Sequence, residues 1–289
     1  MLKNSAYNIS MSKKYPKIGL ALSGGAALGI AHVGALQALA DHNIPIHCIT
    51  GTSAGAVVAS CLAFGLTPEE MVKRAKNLSW YKLSNISYSR MGLITTQGIG
   101  EMMKEVLGDV NIEDAKIPLA IVATNIENGE AIIFKTGSVA EAVMASVCIP
   151  GLFVPTEYQD KKLVDGGLVK NLPLSLLDEM GAEYKIGVNL ARWRTYKKPS
   201  NLLDVMISAL DIMTHKQTNQ DALLANMIIE PHLEQFTASD FKKAAELITE
   251  GYRATILALP ALTNTISKDQ KTQLNKPSLW QKFLSIFKK

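Results

Sequence analysis

The stretch Gly51-Thr52-Ser53-Ala54-Gly55 constrains this chain more than any other. It joins the short apolar run Ile46 to Thr50 to the apolar segment Gly55 to Leu66. The first reads as a strand and the second as a buried helix. A chain that passes from strand to helix through a sharp turn is crowded there. Glycines two residues either side of the serine relieve that crowding. The turn exposes the hydroxyl at a helix N-terminus, where free N–H groups and the helix dipole favour developing negative charge. Taken alone, the pentapeptide fits either an activated serine or a small-residue turn with a structural serine.

A second turn of this kind precedes it. Lys17 to Ser23 reads as a strand broken by Gly24 and Gly25, and Gly29 to His42 repeats Ile30, Val33, Leu36 and Ala40 at helical spacing. Strand, turn and helix thus occur twice in succession, the pattern of a parallel sheet covered on both faces. The expected fold class is α/β, three-layer α/β/α with a mostly parallel central sheet. Downstream, helices are predicted from Thr67-Pro68 to Leu78, over 96–107, 139–147, 174–180 and 202–225, and over 239–257 before Pro260. Strands are predicted over 118–124, 131–136, 163–164, 184–190 and 227–230, and Ser79 to Gly92 as a loop or lid. The expected organisation is a basic tail over 1–16, one domain over 17–260, and a basic tail over 261–289.

The turn Ser23-Gly24-Gly25-Ala26-Ala27-Leu28-Gly29 can aim several backbone N–H groups at one anion. A dinucleotide site would need glycine where Ala26 stands and an acid after the next strand, and the segment 46–50 offers none. An oxyanion hole fits better, because turns from neighbouring strands can face one another. A histidine base would have to be His215 or His232, within or beside predicted helix and strand, or one of His32, His42 and His47. Asp165-Gly166-Gly167 ends a short strand. It is either a plain turn or a carboxylate base for a lone serine.

Charge excludes one class. Four lysines and no acid lie in 1–17, and six lysines against Asp269 lie in 266–289, which leaves the middle net acidic. That is no nucleic-acid-binding core. Cys48, Cys61 and Cys148 are widely spaced in apolar surroundings and read as small buried hydrophobes. With no signal-like apolar core in 1–17, the expectation is a soluble cytoplasmic protein, or one exported by a route that needs no such signal. On a helix, Leu279, Trp280, Phe283, Leu284 and Phe287 would share one face, with Lys282 and Lys289 off it. That pattern fits peripheral membrane contact through 279–289 or a helix docked on its own domain.

In order over about 17–260, these elements resemble the patatin-like phospholipases, small bacterial branch. The residues are the turn 24–29, His32 and Gly34, Gly51 to Gly55, Ala145-Ser146 with Ile149-Pro150-Gly151 and Phe153, Asp165-Gly166-Gly167, and Asn171-Leu172-Pro173. Ile229-Glu230-Pro231, Phe241 and Glu250-Gly251-Tyr252 extend it. The resemblance implies a patatin-like fold and a Ser–Asp dyad without histidine, Ser53 as nucleophile and Asp165 as base. It implies oxyanion donors at Gly24, Gly25 and Ala26, motif glycines at Gly29, Gly51, Gly55, Gly166 and Gly167, and no metal or cofactor. The implied chemistry is hydrolysis of phospholipid or other acyl esters, of phospholipase A or lysophospholipase type, through an acyl-enzyme. Two positions depart from the family pattern. Ala26 replaces a usual glycine, which suits a negative φ, and Leu28 replaces an Arg or Lys. The second departure also fits a catalytically weak regulatory or lipid-binding protein on the same fold.

Overall fold

The computed structural model describes residues 15–75, 85–86, 91–192, 198–199 and 202–263. Strand β1 (Ile18–Leu22) leads through a 3-10 turn, Ala26–Gly29, into α1 (Ile30–Asp41). Strand β2 (Cys48–Thr52) turns at Ser53 into α2 (Ala54–Ala63). There follow α3 (Pro68–Ala75), β3 (Asn85–Ile86), β4 (Ile94–Thr95), α4 (Gln97–Leu107), β5 (Leu119–Asn125), β6 (Ala131–Phe134) and α5 (Val139–Ser146). Then come β7 (Thr156–Tyr158), β8 (Lys161–Asp165), α6 (Gly167–Lys170), α7 (Ser175–Glu179), β9 (Tyr184–Val188), α8 (Leu202–Asp221), β10 (Met227–Ile229) and α9 (Ala244–Thr263). The cap expected at Thr67 is a full capping box. Its N–H donates to Glu70 Oε2 at 2.8 Å, and its Oγ1 accepts from the Glu70 N–H at 3.3 Å.

The main sheet runs β10-β9-β1-β2-β5-β8-β7, with β6 also paired to β5. Its residues alternate between two apolar layers. Ile18, Leu20 and Leu22 join the large core around α1, α2 and α9, whereas Ala21 packs with Leu172, Leu174 and Leu177. Both faces are therefore covered, and the architecture is the expected three-layer one.

Pairings from β10 through β5 are parallel, but those of β5 with β6, β5 with β8 and β7 with β8 are antiparallel. Strand β7 escaped the sequence reading. It has three residues, none of them buried, and its turn into β8 uses Gln159 and Asp160 at φ 47 and 62 with no glycine to mark it. Helix α9 also runs on through Pro260 to Thr263, beyond the predicted stop at Leu257. Pro260 is exposed, so water can serve the carbonyl left without a partner one turn back. Helices α1 and α9 touch backbone to backbone. A side chain on Gly34 would meet the Ile248 carbonyl oxygen, and one on Gly251 that of Ala31.

The three cysteines are free and buried. Among the described residues, no helix is long and apolar enough to cross a membrane. The predicted tail helix 279–289, nearly all of the N-terminal tail and most of the 79–92 loop lie outside the described residues.

One feature of the sheet positions the site. Residues Ile121 and Val122 of β5 pair with β2 on one edge and with β6 on the other. Ala123 pairs with Asp165 of β8 and with Ile132 of β6. Strands β2 and β8 thus share one edge of β5 end to end, running toward each other. Thr52 sits opposite Val122 and Asp165 opposite Ala123. The turn after β2 and the last residue of β8 are forced together.

Candidate active site

Ser53 occupies that junction with φ 54 and ψ −126, a conformation that burdens a non-glycine residue by about 1–3 kcal/mol. The surroundings hold it there. Its N–H donates to Ser146 Oγ at 2.8 Å, and Ser146 Oγ donates to the Val122 carbonyl at 2.6 Å. Side chains added at Gly51 or Gly55 would strike backbone: the Gly55 carbonyl in one case, those of Leu22 and Ser23 in the other. The glycines seen in the sequence are therefore required by close approach of β1, β2 and α2.

Ser53 Oγ donates to Asp165 Oδ2 at 2.6 Å, a short bond of the charge-assisted kind. Gly167 N–H donates to Asp165 Oδ1 at 2.8 Å, and the Asp165 N–H to the Cys148 carbonyl at 2.8 Å. Gly166 lies against the Val122 carbonyl, where no side chain fits. Burial pushes the Asp165 carboxyl up to about 6, against the pull of the Ser53 and Gly167 hydrogen bonds. Among the described residues, no histidine bonds Ser53. His32 Nε2 instead donates to the Ser23 carbonyl at 2.8 Å. Burial lowers that imidazole to about 4, so it is neutral, and its Nδ1 has no partner. Its bond fixes the start of the glycine-rich turn.

That turn lies beside Ser53, as two neighbouring parallel strands dictate. A side chain on Gly24 would come 3.1 Å from Ser53 Cβ, and one on Gly29 would collide with Ala54. Gly24 is not free to donate to substrate, contrary to the expectation: its N–H is held by Asn171 Oδ1 at 3.1 Å and by the Asn171 carbonyl at 3.3 Å. The N–H groups of Gly25 and Ala26 have no acceptor among the described residues, and both residues line a cavity with Ser53. Ala26 has φ +50 rather than a negative value. Ala26→Gly should therefore stabilise the fold by about 1 kcal/mol, read as a rise of roughly 2–4 °C in melting temperature. Leu28 is 3% exposed within the apolar core, so the family's basic residue has no charged replacement at this point.

Further side-chain hydrogen bonds complete the scaffold. Asn171 Nδ2 donates to Thr218 Oγ1 at 2.8 Å, while Thr50 and Thr52 donate to the carbonyls of Pro173 and Lys170 at 3.1 and 2.8 Å. The sequence reading marked Ser146 and Asn171 only as motif letters. One signal could have found this stitching: two threonines alternating in a buried strand need partners on one face.

Two cavities meet at the serine. One, about 160 Å³, is almost wholly apolar and follows α2 from Ser53 past Val57, Val58 and Cys61 to Met71 and Met103. The other, about 100 Å³, holds Asp165, Asn171, Asp211 and Thr214. Ser53, Ala26 and Ile149 line both.

A strained serine on a strand-to-helix elbow, bonded to a buried aspartate beside a glycine-rich turn on a three-layer sheet, defines an α/β scaffold of the serine–aspartate kind. The family model for patatin-like phospholipase matches residues 20–178, and the chain belongs to that family. An uncharacterized NTE family protein of Mycobacterium bovis is 35% identical over 61% of this chain and 49% of its own length. Lysophospholipase NTE1 of Meyerozyma guilliermondii is 27% identical over 86% of this chain and 20% of its own. The chain thus spans half or less of these relatives. Among solved structures, VipD from Legionella pneumophila aligns with TM-score 0.49 at 16% identity, covering 85% of this chain and 67% of that one. The type III effector ExoU aligns with TM-score 0.49 at 12% identity, covering 90% and 54%.

Proposed function

We propose that this chain hydrolyses acyl esters of lipids, of phospholipase A or lysophospholipase type, through Ser53 and Asp165. The observation that carries the reading is the place of Ser53 between an apolar channel and a polar cavity. An acyl chain fits the first, and the polar alcohol part of the ester fits the second. The name of the Meyerozyma guilliermondii relative, lysophospholipase, points the same way.

Asp165 takes the proton as Ser53 Oγ attacks the ester carbonyl. The N–H groups of Gly25 and Ala26 and the N-terminus of α2 stabilise the oxyanion. Collapse expels the alcohol into the polar cavity, and it leaves with the proton held on Asp165. The acyl group stays on Ser53 with its chain in the channel. Asp165 then deprotonates water for the second attack, which frees the acid and restores the serine. No metal or cofactor enters these steps. A fluorophosphonate should label purified protein at Ser53 alone, located by peptide mass. Protein that neither labels nor cleaves p-nitrophenyl esters would sink the reading. Peripheral membrane contact through the tail 279–289 belongs to the same proposal: deletion of 266–289 should reduce binding to anionic vesicles, most clearly at low salt.

A further inference from the structure

We infer that the outward face of α8 rests on a lipid surface and presents the polar cavity over Ser53 to it. The choice of occupant rests on the lipid-hydrolase reading, whereas the geometry rests on the polarity of α8 itself.

At about 100° per residue, Val205, Ala209 and Ile212 fall along one line of the helix, with Met206 and Met213 beside it. All five are exposed, Ile212 by 56% and Met213 by 64%. The opposite side carries the polar groups. Asp211 and Thr214 line the cavity with Leu210, Gln217 donates to the Val169 carbonyl, and Thr218 accepts from Asn171. A helix on the surface of a protein in water turns its apolar stripe to the core and its polar side outward. Helix α8 does the reverse over the stretch that roofs the site. An outward apolar face is stable where the medium outside is itself apolar.

The surface continues around the same rim. Met206 packs on Gly151, where a side chain would come within 2.7 Å of its Cε. The Leu93 N–H donates to the Leu152 carbonyl at 3.0 Å, and Met91 and Leu93 are both exposed. Ile149 and Pro150, just before Gly151, line the polar cavity. Helix α8 and the 91–93 segment therefore flank one turn at the mouth over Ser53. Lone exposed apolar side chains are ordinary, but a contiguous group around a cavity mouth marks a docking surface. Its charge suits phospholipid rather than a second copy of the chain. Among the described residues, the exposed charge on the stripe is Lys216, one turn beyond Ile212, placed to meet a phosphate. A lipid acyl chain must also leave its bilayer at this mouth to reach the channel.

The test uses the full chain and two variants, Ile212→Glu with Met213→Glu, and Val205→Glu. None of these residues lines either cavity. Neutral phosphatidylcholine vesicles are used, because their surface exerts little pull on the basic tail. Sedimentation with vesicles should fall about tenfold or more in the double variant, with a smaller loss in the single one. Hydrolysis of soluble p-nitrophenyl butyrate should stay within about twofold of wild type, and unchanged melting shows that the variants are folded. Vesicle binding equal to wild type in both variants would overturn the inference. So would conversion of a dimer to a monomer on a sizing column with vesicle binding intact, which makes this face an interface between copies. Sedimentation needs no chemistry. A wild-type protein that hydrolyses nothing therefore refutes the enzyme reading, while the binding data judge this one.

Discussion

Ser53→Ala should lose ester hydrolysis by at least about 10³-fold and lose fluorophosphonate labelling with it, because no other group can carry the acyl intermediate. Asp165→Asn should lose a similar factor, since an amide accepts no proton. The two variants should differ in stability. Burial raises the Asp165 carboxyl to about 6 in the folded protein, above its ordinary 3.8. The folded state thus favours the protonated form. The associated stability is full below about pH 4 and is lost as pH rises through 6. Asparagine carries no such charge, so Asp165→Asn should be more stable than wild type at pH 8, by on the order of 2 kcal/mol. The gap should close below about pH 4. Denaturant unfolding at both pH values measures it. Catalysis follows the opposite slope, because only the carboxylate can act as base. In wild type, kcat/KM should fall about tenfold per unit below pH 6 and level off above about 7. A rate independent of pH between 5 and 8 would remove Asp165 from the role of base.

The second large effect is on acyl chain length. Val57 lies four residues beyond Ser53 on α2 and lines the apolar channel, as does Cys61 one turn further. At 1.5 Å per residue, these positions stand about 6 and 12 Å along the helix from the nucleophile. Val57→Trp should therefore leave acetate and butyrate esters as substrates and reduce decanoate hydrolysis by about 100-fold. Cys61→Trp should move the cutoff outward by about four chain carbons. A series of p-nitrophenyl esters assayed against both variants measures this. An identical chain-length profile in wild type and both variants would place the acyl group somewhere other than this channel.

Much of this site was legible because it is built from collisions. Where β1, β2 and α2 converge, Gly29, Gly51 and Gly55 leave no room for a Cβ, and a sequence can only record that with small residues. The same holds at Gly166 against β5. The parallel centre of the sheet was legible for a related reason, since its apolar strands alternate with helices. The antiparallel end was not. Strand β8 follows a hairpin whose turn contains no glycine, and direction leaves no trace in a five-residue strand. The supporting polar bonds were hidden too. Ser146 and Asn171 act on backbone groups of Ser53 and Gly24, far away in the chain, and no spacing rule reports such a partner. The left-handed alanine at 26 shows the limit of residue type as a guide to φ, because the Ala27 N–H bond to the Ala238 carbonyl and its neighbours hold the turn in place.

The end-to-end meeting of β2 and β8 on one edge of β5 has a consequence for synthesis. The residues of the elbow at Ser53 are all present once β1, β2 and α2 exist, yet its partner lies 112 residues later. A nascent chain emerging from the ribosome holds the serine long before the strand that delivers the carboxylate has been made. Any fragment ending short of residue 165 is hydrolytically silent on the proposed mechanism, even where its first half has folded. On that mechanism, turnover requires that β8 has docked beside β2, and so reports a step of assembly that the first half of the chain cannot take alone.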